Sequence, residues 1–166
     1  MYTSSFLSPL GYMRARSSDT GLYALDWQQH PFLEADQEND VSRETIRQIR
    51  HYLNNQLSDF TMPLDLSGNS SAFAKWLSVL ATVPFGHVIT YKELARRWGN
   101  IKAARAAGQA CRNNPLPIIL PCHRIVRADG KIENYSGGDR ASTTNPNNIK
   151  RKQWLIELES KKKIAN

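Results

Sequence analysis

A thiol and an imidazole are neighbours in this chain, at Cys122 and His123. Only the thiolate is a strong nucleophile, and a free cysteine with a pKa of about 8.5 is a few per cent thiolate at neutral pH. An imidazole that takes the proton raises that fraction, so the pair invites a reading as an activated nucleophile. Adjacency alone is weak evidence in a chain with two cysteines and four histidines, and a cysteine that merely packs in a core is the alternative. Neighbours in an extended strand also point to opposite faces, so contact between them requires a helical turn or a bridging water. The flanking sequence predicts where the pair sits. Asn113-Asn114-Pro115-Leu116-Pro117 stops a preceding helix, and the apolar run Ile118-Ile119-Leu120 ends at Pro121, which puts Cys122 at a buried turn or strand end.

The elements that must position this pair fall into two groups. From Tyr2 to Asp26, short mixed stretches broken by Ser8-Pro9, Gly11 and Ser17-Ser18-Asp19-Thr20-Gly21 predict two or three antiparallel strands with tight turns. Ser42 then stands ahead of Ile46, Ile49, Leu53 and Leu57, a helical stripe that predicts one amphipathic helix starting at Ser42. Pro63, Gly68 and several Ser and Asn residues lie between Asp59 and Ser71, and a boundary there divides the chain into domains 1–66 and 67–166. Beyond it, Ser71 caps a helix carrying Phe73, Trp76, Leu77 and Leu80, Thr90 caps a short one ending near Gly99, and Lys102 to Arg112 forms a third. Three short helices with tight turns suggest a helix-turn-helix. The third has an unusual surface. Lys102, Arg105, Gln109 and Arg112 share one face, and the positions between are nearly all Ala or Gly, which suits close approach of the backbone to DNA with little base readout. A small-residue helix packed inside a helical core is the competing reading.

Charge supports a polyanionic partner. The net charge of +7 is uneven: residues 1–66 hold five Lys and Arg against nine Asp and Glu, and residues 67–166 hold seventeen against six. Two cysteines are too few for a secreted disulfide framework, and neither Cys-x-x-Cys nor His-x-x-x-His spacing occurs, so no metal is expected. The chain lacks an apolar run of membrane-spanning length, and MYTSSFLSPLGYMRARSSD does not read as a signal peptide, so it is expected to be soluble and not exported.

The stretch NNPLPIILPCHRIV resembles the active-site signature of the O6-alkylguanine-DNA alkyltransferases, in which Pro-Cys-His-Arg precedes an aliphatic residue, here Pro121 to Ile125. The likeness runs from about Phe73 to Glu159 through VPFGHVITYKELA, KAARAAGQACRNNP and ENYSGG; residues 1–66 resemble the family in outline alone. The resemblance implies an α/β (α+β) chain. A small amino-terminal antiparallel sheet with a helix, RNase H-like, would precede a winged-helix-like helix-turn-helix domain carrying the cysteine. It implies Cys122 as alkyl acceptor, with Glu159 and His123 completing a Glu, His, water, Cys relay. Tyr91 would donate a proton to the departing base, and Ser136 would hydrogen-bond O6. Asn114 would tie the recognition helix to the active-site turn, while Pro117, Tyr135 and Gly137 would line the substrate pocket. Arg105 would fill the space left by a flipped nucleotide, with Tyr91, Lys102, Gln109 and Arg112 also on the DNA. Arg124 would be structural, bonding backbone carbonyls. The implied partner is double-stranded DNA bearing O6-alkylguanine, met by a monomer that cooperative assembly on DNA could follow. No cofactor is implied, and the location would be the cytoplasm and nucleoid of a prokaryote or the nucleus of a eukaryote.

Some positions depart from the pattern. DRASTTNPNNIKRKQ separates Gly138 from Trp154 with roughly ten residues more than the resemblance implies, and reads as an exposed loop whose Lys150-Arg151-Lys152 could reach phosphate or a neighbouring protein. The insertion leaves Glu157 as an alternative to Glu159. Gly137 stands where some relatives carry a bulky aromatic residue, so a pocket roomy enough for benzyl adducts is expected. Cys111 reads as a packing residue on the apolar side of the third helix. Three other functions compete: a non-catalytic alkyltransferase-like protein that flags damage, which would lack the acceptor cysteine; a plain helix-turn-helix regulator, which would not need the buried thiol; and a cysteine hydrolase, for which no oxyanion site is evident.

Overall fold

The computed structural model describes residues 1–136 and 142–165, the last four by backbone alone. The chain forms two compact units, Met1–Gly68 and Asn69–Asn166. In the first, β1 (Tyr2–Ser8), β2 (Gly11–Ser17) and β3 (Leu22–Gln28) make an antiparallel sheet in the order β1-β2-β3, with Phe6 opposite Met13 and Ala15 opposite Leu25. Strand alternation drives Met13, Ala15, Leu25 and Trp27 into the core, and Leu22 is buried beyond a register shift between β2 and β3. Gly21 is there for space, because a Cβ would come within 2.7 Å of the Leu64 backbone that runs beside Leu22.

Helix α1 (Asp40–Leu53) covers this sheet with Thr45, Ile46, Ile49, Tyr52 and Leu53. It begins earlier than the sequence predicts. Asn39 is the cap, its side chain accepting from Ser42 N at 2.8 Å while Ser42 Oγ accepts from Asn39 N at 3.1 Å. Ser42 thus closes a capping box from inside the helix, two turn-ends satisfied at once, and does not start it. The helix stops at Leu53, and Asn55 with φ 60 turns the chain away, so Leu57 lies outside the stripe.

In the second unit, α2 (Ser71–Leu80) is capped by Ser70, one residue before the expected Ser71. After β4 (Ile89–Thr90), Thr90 Oγ1 accepts from Glu93 N and opens α3 (Tyr91–Trp98), which ends at Gly99 in a left-handed conformation with φ 124. Helix α4 (Ala104–Arg112) packs on α3 to complete the helix-turn-helix; it starts two residues after Lys102, so Lys102 precedes the helix instead of riding on it. Cys122–Arg124 is a single 3-10 turn leading into β5 (Ile125–Val126), which pairs in parallel with β4, Ile89 beside Ile125 and Thr90 beside Val126. That pairing, which nothing in the sequence announces, joins the start of α3 to the exit of the Cys122 turn. The last helix, α5 (Pro146–Ala165), begins eight residues before Trp154. Much of the supposed exposed loop is therefore helix, and Asn148, Arg151, Lys152, Leu155, Leu158 and Glu159 form its buried face. Among the described residues no helix is long and apolar enough to cross a membrane.

Candidate active site and nucleic-acid interface

The segment from Asn113 to Pro121 delivers Cys122 from the end of α4. Ile118, fully buried and β-branched, sits at φ 74, a conformation that costs about 1–3 kcal/mol and persists where surrounding contacts over-determine it. Asn114 supplies those contacts: Nδ2 donates to Leu120 O at 2.7 Å and to Cys122 Sγ at 3.2 Å, and Oδ1 accepts from Leu116 N at 2.9 Å. Asn114 thus links the recognition helix to the active-site turn and gives the sulfur a donor. It is a positioning group; among the described residues it does not line the cavity at the thiol.

Behind the thiol lies a buried charge cluster. His123, 0% exposed, bonds through Nε2 to Glu159 Oε1 at 2.7 Å. Arg124 donates from Nε to Glu159 Oε2 at 2.9 Å and from Nη2 to Oε1 at 2.8 Å, and from Nη1 to Val83 O at 2.7 Å. Gly86 N adds a longer bond to Oε2 at 3.3 Å. The structure selects Glu159 over Glu157, which is exposed. It also corrects the reading of Arg124: a backbone carbonyl takes one of its bonds, but most go to Glu159. Burial by itself would raise the Glu159 carboxyl, yet the hydrogen bonds and charges of His123 and Arg124 outweigh it and hold the group well below the carboxylate range. A carboxylate accepts, so the His123 proton sits on Nε2 and Nδ1 is the basic nitrogen of the neutral ring. Burial holds His123 below its usual pKa, with Glu159 opposing. Burial likewise pushes the Cys122 thiol up, and the Asn114 bond and the Lys152 charge pull against it. The resting sulfur is therefore a thiol.

Lys152 went unrecognised as a site residue. Expected on an exposed basic cluster, it is 0% exposed, donating to Ile125 O and, at 3.3 Å each, to Glu133 O and Asn134 O, with Nζ 5.8 Å from the Tyr91 ring centroid. Arg151 is buried too, leaving Lys150 as the exposed member of the three. A signal existed: Lys152 stands seven residues before Glu159, hence on the same helix face.

A cavity of about 610 Å³ opens onto Cys122, with Tyr91, Cys111, Tyr135 and Ser136 among its walls. Burial, then the nearby Cys111 and Cys122, raise Tyr91 above the ordinary phenol value, so it is a proton-bearing group at neutral pH. Ser136 Oγ donates to Arg112 O at 3.1 Å. Pro117 is buried in the turn that delivers Cys122 and is not among the residues around the cavity; Gly137 lies outside the described residues. Cys111 packs as expected but also faces the cavity, its thiol driven up by burial. Arg127, Asn134 and Thr143 are further wall residues the sequence reading did not include.

The outer rim of the cavity is α4. Arg105, Gln109 and Arg112 are exposed on it, Lys102 stands beside them just ahead of the helix, and Ala107, Ala110 and Cys111 are buried behind. A Cβ at Gly108 would meet nothing within 4 Å, so its absence serves no contact inside the protein. Among the described residues no cluster of three or more His, Cys, Asp or Glu could hold a metal ion.

Residues 72–161 match the DNA binding domain of 6-O-methylguanine DNA methyltransferase, and residues 1–66 match the ribonuclease-like domain of the same protein. The chain is 31% identical to the methylated-DNA–protein-cysteine methyltransferase of Methanosarcina acetivorans over 96% of its own length and 98% of the relative's. It is similar in structure to the Mycobacterium tuberculosis O6-methylguanine methyltransferase, with a TM-score of 0.80 at 28% identity over 97% of this chain and 93% of that one. The M. tuberculosis OGT in complex with DNA aligns with a TM-score of 0.79 at 28% identity, covering 98% and 94%. A thiol on a 3-10 turn, backed by a buried imidazole and carboxylate and rimmed by a slim basic helix, accompanies matches spanning both units: the chain belongs to the 6-O-methylguanine DNA methyltransferase family.

Proposed function

We propose that the protein repairs duplex DNA by moving a methyl or larger alkyl group from guanine O6 to its own Cys122. Family membership fixes the coarser statement, methyl transfer from DNA to a protein cysteine in alkyl-damage repair. The observation that carries the finer one is the ordered contact from Glu159 to His123 beside a buried thiol that opens on a cavity under an exposed basic helix.

The chemistry follows from the protonation states. Glu159 holds the imidazole with hydrogen on Nε2, so proton exchange with the thiol falls to Nδ1 across one bridging water. As the S–H proton leaves, Sγ attacks the alkyl carbon in line; the S–C bond forms, the C–O6 bond breaks, and its electron pair stays with guanine. Asn114 steadies the developing thiolate with its 3.2 Å bond. Tyr91 gives its proton to the departing base and recovers one from solvent or the imidazolium. Glu159 balances the charge that His123 acquires, and Arg124, itself a cation that opposes that charge, holds the carboxylate in place. The thioether has no hydrolytic exit, so each molecule acts once.

Reaching an O6-linked carbon in line requires the nucleotide to leave the stack. Arg105 carries no hydrogen bond or ion pair among the described residues, and it stands at the cavity mouth where the vacated space would be. Gly108 and the alanines keep α4 thin enough to press into the minor groove. The same geometry would accept O4-alkylthymine, whose exocyclic oxygen is placed alike.

The test mixes the protein with a duplex carrying O6-methylguanine and reads intact mass, then maps the modified peptide. One methyl should appear on Cys122 and be absent from C122S. An unmodified Cys122 in the presence of excess lesion would overturn the reading in favour of damage flagging without chemistry.

A further inference from the structure

Residues 142–145, just ahead of α5, are tied into the protein by polar side chains that a solvated loop would not need. Arg151 Nη1 donates to Asn148 Oδ1 at 2.7 Å, and Asn148 Nδ2 donates to Ser142 O at 2.9 Å; both side chains are buried. Ser142 closes a turn on itself, its Oγ accepting from Thr144 N and its carbonyl from Asn145 N. The next residue, Thr143, accepts from Tyr135 N at 2.9 Å and lines the cavity that holds Cys122. A polar ladder therefore runs from the inner face of α5 to the cavity wall. Burying an arginine and an asparagine carries a desolvation cost, which is hard to account for unless the position of this turn matters.

We propose that the Ser142–Asn145 turn is a wall of the substrate cavity and that Thr143 limits the size of the O6 substituent the protein accepts. This inference rests on the reading of the cavity as the O6-alkylguanine site. The direction follows from what surrounds the sulfur. The carbon under attack must sit in line at Cys122 Sγ, and Tyr135, which feels the Cys122 charge in addition to its burial, shares that end of the cavity. Thr143 lines the same cavity and its carbonyl accepts from Tyr135 N, so it stands beside Tyr135 at that end. The purine extends the other way, toward Arg105, Gly108 and Gln109 on α4. Thr143 is β-branched and stiff at χ1, and both neighbours in the ladder hold its backbone. Added volume there cannot be absorbed by a swinging loop.

The experiment measures single-turnover rates of the full chain on duplexes bearing O6-methylguanine and O6-benzylguanine. T143F should lower the benzyl-to-methyl rate ratio at least tenfold, and T143A should raise it. N148A, which removes the rung that pins the turn without touching the cavity, should bring the T143F ratio back toward the wild-type value by letting the wall yield. T143L provides the same reading if T143F does not fold, as checked by circular dichroism. A ratio within twofold of wild type in folded T143F or T143L overturns the inference while leaving the repair reading intact. Absence of alkyl transfer by the wild-type chain would instead remove the repair reading itself.

Discussion

Replacing Glu159 with glutamine isolates what the buried cluster contributes. The carboxylate takes four of the contacts around it: one from His123, two short ones from Arg124 and one from Gly86 N. The change is nearly isosteric, so packing survives while the guanidinium keeps Val83 O as its acceptor and loses its counter-charge. Breaking a buried ion pair by removing one partner costs about 3–5 kcal/mol. That is a large part of the roughly 5–15 kcal/mol that holds a domain folded. At a urea slope of about 2 kcal/mol per M the unfolding midpoint should fall by roughly 2 M. R124M should cost a similar amount, and in E159Q/R124M the losses should fall short of additivity by at least about 1 kcal/mol, because neither charge is then left alone. Equilibrium urea unfolding followed by tryptophan fluorescence gives all four values. Reaction with free O6-benzylguanine, measured on folded E159Q, should slow by about 10²-fold as the imidazolium loses its stabiliser. If E159Q unfolds within 1 kcal/mol of wild type, or if the two single losses simply add, the cluster is not the coupled unit described here.

Other perturbations address separate parts. His123 and Glu159 are both held below their ordinary pKa values in the folded chain, so the unfolded chain binds more protons as pH falls. Their contribution is complete above the ordinary histidine value of about 6.5 and is lost below it, first through His123 and then through Glu159. Urea midpoints should therefore be flat between about pH 7 and the ordinary thiol range near about 8.5 and decline with acid, and a midpoint that rises on acidification from pH 7 would contradict the assignment. K152M strips a cation from three backbone carbonyls and from the neighbourhood of the thiol; it should cost about 1–3 kcal/mol and shift the pH profile of Cys122 alkylation by iodoacetamide upward. An unchanged profile would remove Lys152 from the electrostatics of the sulfur. R105A should slow repair of duplex DNA far more than reaction with free O6-benzylguanine, and equal losses on both would deny it the place of the displaced nucleotide. In the first unit, N39A should destabilise by about 1 kcal/mol by opening the capping box; no change in thermal midpoint would return the helix start to Ser42.

The local parts of this protein are written in its sequence. Pro121 and the prolines before it forced a turn at Cys122, Thr90 and Gly99 bounded α3, and the alternation of β1 to β3 specified one buried face, because each depends on residues a few positions apart. Charge and small-residue spacing marked α4 as a slim helix with an exposed basic face, as the structure has it. Long-range placement was not legible. The capping box of α1 depends on contacts that both of its side chains make with the sheet, Ser17 Oγ donating to Asn39 Oδ1 at 2.8 Å and Ser42 Oγ meeting Ser4 Oγ at 2.8 Å. The buried face of α5 mixes Asn148, Arg151, Lys152 and Glu159 with two leucines, so hydrophobic periodicity could not find it, and three cations in a row read as a solvated patch. Those side chains are buried because partners from distant segments meet them: Ser142 O for Asn148, the carbonyls after the active-site turn for Lys152, and Arg124 with His123 for Glu159. Solvation cost makes a charge an exposed residue by default, and only a tertiary structure supplies the counter-groups that reverse that preference.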